Sequence, residues 1–113
     1  MQSWNLLEID APGGTIDPQV LTTDDGARAI AIRLEAGQVM DDHQVRERAW
    51  LVVVEGAAEI RCGDRVVRGG VGTLAPFAPG ERHAVSSEGG ARVLLLLAPW
   101  PGDGHYLASE TPG

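Results

Sequence analysis

Two histidines, His43 and His83, carry most of the chemical interest in this chain. An imidazole titrates near neutral pH, so it can take or give a proton, and its neutral form ligates metal ions. Two carboxylates, Asp41 and Glu47, flank His43, with Glu47 set between Arg46 and Arg48. A set of His43, His83 and either Asp41 or Glu47 would copy the two-histidine, one-carboxylate pattern of iron enzymes. Two imidazoles alone make a weak metal site, because catalytic sites usually hold an ion with three protein groups. The expectation is therefore no tightly bound cofactor; otherwise the ion is a divalent metal, iron, manganese, nickel or zinc.

Short strands must position these groups. Glycine (15) and proline (7) interrupt the chain every few residues, and no window carries sustained helical periodicity. Leu6 to Ile9 reads as a first strand and Gln19 to Thr23 as a second. From Arg28 to Glu35, Ala29, Ala31 and Arg33 alternate with Ile30, Ile32 and Leu34, the period of two expected of a half-buried strand. Further strands are expected over Asp42–Arg46, Ala49–Val54, Ala57–Cys62, Arg65–Arg68, Thr73–Phe77, His83–Ser86 and Ala91–Ala98. Gly63-Asp64 makes a tight hairpin. Alternation puts Asp41, His43 and Val45 on one strand face, with Asp41 about 6.6 Å along the strand from His43. About ten short strands exceed one open sheet, so they fold into two packed sheets or a barrel. An immunoglobulin-like sandwich lacks its pair of cysteines around a tryptophan.

The 113 residues fit a single domain over 1–113, with a core barrel at about 28–98 and a Pro/Gly-rich tail at 99–113. Apolar residues make up 43% of the chain, within the range of a packed globule. A net charge of −7, from 16 acids and 9 bases, argues against nucleic acid and anionic membrane as partners. The single cysteine, Cys62, permits no internal disulfide and fits a reducing compartment. The N-terminus lacks the basic start and apolar run of a secretory signal, so the expected location is cytoplasmic. Leu51–Val54 and Leu94–Leu97 are apolar on both faces, so each needs cover on both.

Two segments between Gly37 and Ser87 resemble the paired motifs of the cupin superfamily. The first motif is glycine, five residues, His-x-His, three or four residues, Glu, six residues and glycine; Gly37, His43 and Gly56 fall in place. The second is glycine, five residues, Pro-x-Gly, two residues, His, three residues and Asn; Gly72, Gly80 and His83 are in register. The chain departs from the pattern at Val45 (second histidine), Ala49 or Trp50 (glutamate), Ala78 (proline) and Ser87 (asparagine). The resemblance implies an all-β jelly-roll barrel, the double-stranded β-helix, with His43 and His83 pointing inward and only those two of four family ligands kept.

Under that resemblance the two histidines, with Val45, Ala49, Val53 and Val85, line a mostly apolar cavity for a small-molecule ligand. They would serve as binding groups or as a metal-free general base in an isomerase or lyase, or else are satisfied core histidines. Arg33 would pair an anionic ligand if its strand face lines the cavity, and is otherwise a solvated arginine. The alternative function is a metal-dependent oxygenase or isomerase. A third reading is a structural protein with a solidly packed barrel. Cupins also often pair through a sheet, so a homodimer is expected. Trp50, Phe77 and Trp100 read as core or interface groups, and Pro99 to Tyr106 as cover for a sheet edge or a lid.

Overall fold

The structure, a computed structural model, describes residues 1–9, 19–24 and 26–101; the side chains of residues 24 and 41–43 are outside that description. The tail beyond residue 101, with His105 and Tyr106, also lies outside the described residues.

Every regular element among the described residues is a strand: β1 (Gln19–Asp24), β2 (Ala27–Leu34), β3 (Val39–His43), β4 (Arg48–Gly56), β5 (Ala58–Cys62), β6 (Arg65–Gly69), β7 (Leu74–Phe77), β8 (His83–Ser86) and β9 (Ala91–Ala98). They form two antiparallel sheets, one ordered β1-β2-β9-β4-β7 and the other β3-β8-β5-β6. The two sheets pack face to face as a jelly roll. No helix among the described residues is long and apolar enough to cross a membrane.

Two sequence expectations are corrected. Leu6 to Ile9 is not a strand. Asn5 turns the chain there: its Oδ1 accepts the Leu7 N–H at 3.0 Å and its carbonyl accepts the Glu8 N–H at 3.0 Å. The strand expected over Asp42–Arg46 lies earlier, at Val39–His43. Beyond it the Val45 carbonyl leaves the ladder and accepts the Gly80 N–H at 2.8 Å. A single regular strand through Asp41, His43 and Val45 therefore does not exist, and their shared face does not follow.

Period-two patterning builds the core. Ile30, Ile32 and Leu34 of β2, Ala49, Leu51 and Val53 of β4, and Val93, Leu95 and Leu97 of β9 are buried and point inward. Ala58, Ile60 and Val85 meet them from the other sheet. Two outward rows of the first sheet are apolar too. Ala31, Leu94, Val52 and Leu74 stand in one register row, and Ala29, Leu96, Trp50 and Pro76 in the next. Leu74 is 57% exposed and Leu96 39%. Part of this outer face is covered at Arg92, whose guanidinium donates to the carbonyls of Ile9 (2.9 Å) and Leu6 (3.5 Å).

Two turn glycines hold the ends. Gly56 (φ +73°) closes β4, where a Cβ would run into the Gly90 carbonyl; Gly80 (φ +78°) ends the β7–β8 turn with open space around it.

Candidate functional site at the His83 end of the barrel

His83 opens β8 and is 1% exposed. Its ring stacks on Phe77, the last residue of β7, with centroids 3.9 Å apart and planes 10° from parallel. The pair joins the two sheets, since β7 and β8 belong to different ones. His83 Nδ1 lies 3.2 Å from the Glu81 carbonyl oxygen. That oxygen can only accept, so Nδ1 carries the proton in this bond, and the lone pair of a neutral ring sits on Nε2. Nε2 is sealed from solvent inside the barrel. A buried imidazole with its basic nitrogen inward suits proton transfer or ligand recognition.

Position 43 comes to this place by register. His43 is the direct ladder partner of His83, after a register shift between Met40 and His43. Such bulges re-aim a strand and are frequent beside functional sites. The structure thus brings the backbones of the two expected histidines side by side.

Glu47 is the less expected member. It sits in a charged run, yet it is 0% exposed, while Arg46 and Arg48 on either side are in solvent. The reason is parity: Glu47 continues the inward series Ala49, Leu51, Val53 of β4. Its Oε1, like His83 Nε2, is sealed from solvent. Carboxylates are rarely buried this fully unless something engages them, so Glu47 marks a polar spot in an apolar interior.

Of the expected cavity residues, Ala49, Val53 and Val85 are each 0% exposed, and Val45 packs half-buried against the same cluster. Ala49 is the register partner of Phe77. Arg33 does not join them. It lies on the outer face of β2, opposite Ile32 and Leu34, about two-fifths exposed, with its guanidinium 3.4 Å from Glu35.

Open space lies beside this cluster. β6 and β7 are edge strands of different sheets, and between them is a cleft of about 340 Å³. Ile60, Val67, Leu74, Ala75, Pro76 and Phe77 supply its apolar walls. Cys62, Arg65 and Glu81 add its polar groups. The Ala78 N–H donates to Glu81 Oε1 at 3.0 Å, and this bond, with a hydrogen bond from the Cys62 side chain, holds the Glu81 carboxyl below its ordinary range. His83 and Arg65 act on it in the same direction through charge. Phe77, Cys62 and Glu81 were invisible as site residues in the sequence; the available hint, for Phe77 and Glu81 alone, was their place on either side of Ala78-Pro79-Gly80.

A larger groove of about 450 Å³ follows Gly56, Gly89 and Gly90 at the other end of β8. There Ser87, at the motif's asparagine position, donates its hydroxyl to the Ala57 carbonyl at 2.6 Å and ties the barrel together.

Comparison with solved structures identifies the class of fold. A double-stranded β-helix protein from Klebsiella pneumoniae superposes with a TM-score of 0.81 at 19% identity, covering 90% of this chain and 93% of that one. An RmlC-like cupin from Desulfovibrio desulfuricans gives 0.79 at 24% identity, covering 88% and 97%. A cupin superfamily protein from Desulfitobacterium hafniense gives 0.75 at 14% identity, covering 83% and 86%. The chain has the cupin fold. No protein-family model matches it, and no curated protein sequence does.

Proposed function

We propose that this cupin barrel binds a small organic molecule in the cleft between β6 and β7 and presents it to His83. The observation that carries the reading is Phe77, which lines the cleft and stacks on the buried imidazole. The cleft has the size and the mixture of apolar wall and few polar groups typical of small-ligand sites. Such a barrel serves as a carrier or sensor module, or as a metal-free isomerase or lyase with His43 or His83 as the base. A cytoplasmic location, consistent with the lone thiol of Cys62, belongs to this reading. So does a homodimer formed through the apolar outer face of the five-stranded sheet.

The test is native mass spectrometry of untagged protein, with extraction of any co-purified molecule and its return to labelled protein. The expected result is saturable shifts of the Phe77 and His83 ring resonances, lost in Phe77→Ala. A molecule that binds without moving either ring overturns the reading.

The burial of Glu47 favours a second reading, the metal-dependent oxygenase or isomerase. Its ligands would be His43, His83 and Glu47, and the ion would act as a Lewis acid or redox centre. Among the described residues, which leave out the His43 side chain, no three His, Cys, Asp or Glu side chains gather as a cation-holding group. Elemental analysis of untagged protein separates the two readings. Stoichiometric iron, manganese, nickel or zinc, lost in both Glu47→Gln and His83→Ala, establishes the second and removes the first.

A further inference from the structure

The charged groups of the β6–β7 cleft narrow the class of molecule it takes, on the reading that the cleft is the binding site. Its walls are apolar, and the buried residues Ile60 and Phe77 form its deep end. Its two charged side chains, Arg65 and Glu81, are both exposed and so sit at the rim. They are close enough for Arg65 to act electrostatically on Glu81.

We infer that the cleft recognises an α-amino acid with an apolar side chain, its carboxylate against Arg65, its ammonium against Glu81 and its side chain against Phe77. Three arguments support one cation and one anion on the ligand rather than a single charge. A monoanion would meet Glu81, which its neighbours hold ionised, and it would approach a protein of net charge −7. A monocation would meet Arg65. A zwitterion is neutral overall and matches both rim charges at once, each through a charge-assisted hydrogen bond. The Glu81 carboxylate has room for this. It accepts from the Ala78 N–H and the Cys62 side chain, and a carboxylate offers about four acceptor positions. The volume of about 340 Å³ suits a small ligand and falls near the low end for drug-sized sites.

The experiment titrates labelled protein at fixed ionic strength with four probes: L-phenylalanine, L-leucine, 3-phenylpropionate and phenethylamine. The two amino acids are expected to shift Ile60, Val67 and Phe77 resonances saturably. The acid and the amine, each lacking one charge, should bind at least about tenfold more weakly. Arg65→Gln should reduce L-phenylalanine to the level of the amine, and Glu81→Gln to that of the acid. Both positions are exposed, so the variants should fold. Equal affinity for 3-phenylpropionate, or indifference of L-phenylalanine binding to Arg65→Gln, overturns the amino-acid assignment while leaving the cleft as a binding site. If no probe moves a cleft resonance but a co-purified molecule does, the assignment alone falls. If neither moves one, the binding reading falls with it.

Discussion

The Glu81 carboxylate stands in open solvent, yet the Ala78 amide, the Cys62 side chain and the nearby Arg65 guanidinium hold it ionised. Its folded-state value lies below the ordinary 4.5. A lowered carboxylate contributes stability that is fully present above the unfolded value and lost as pH falls through the folded one. The difference in denaturation midpoint between wild type and Glu81→Gln should thus be constant above about pH 5 and shrink below the ordinary carboxylate range. A difference that grew with acid would contradict the contact. Glu47 shows how parity and local composition can point in opposite directions. Counting back by twos from Val53 places it inside, but its flanking arginines give it the look of a solvated cluster. The Phe77–His83 pair was not legible at all, since stacking depends on how two sheets close and no local pattern encodes that.

At the level of elements, strong alternation made β2, β4 and β9 readable, because burying one face of a strand penalises any slip in register. Weaker strands were misplaced where a single polar group competes with the ladder. Asn5 diverts the N-terminal segment into a turn, and the Gly80–Val45 hydrogen bond draws the chain after His43 out of β3. The two motif glycines separate two effects that sequence alone cannot. At Gly80 an alanine meets open space and only the positive φ is penalised, at about 1–2 kcal/mol. At Gly56 the same φ penalty adds to a collision with the Gly90 backbone between β4 and β9. Gly56→Ala should therefore lower stability in denaturant titrations by clearly more than Gly80→Ala. Equal losses would mean that the β4–β9 closure yields freely.

For the molecule as a whole, the outer face of the five-stranded sheet is the surface without an internal explanation. Leu74 and Leu96 are large, exposed and adjacent to Val52, Leu94 and Trp50. Contiguous exposed apolar patches of this kind mark association sites. A twofold dimer would bring the patch against its own copy. The double variant Leu74→Asp, Leu96→Asp should sediment as a folded monomer at concentrations where wild type is dimeric. A monomeric wild type at high concentration would remove the dimer. The all-β class and the barrel were foreseeable from turn spacing and the glycine register. The β6–β7 opening was not, because which strands become edges is decided by topology.

β7 contributes to both the ring pair and the outer apolar face. Its Phe77 leans inward on His83, while Leu74 and Pro76 look outward from the same four residues. A guest that disturbs the ring pair pulls on a ribbon whose outward residues belong to the exposed apolar patch. If two copies pair through that patch, reciprocity requires that pairing alter the guest's affinity by the same factor that the guest alters pairing. The dissociation constant of such a dimer, measured with and without a guest, would report occupancy of the neighbouring cleft, which Leu74 and Pro76 also line.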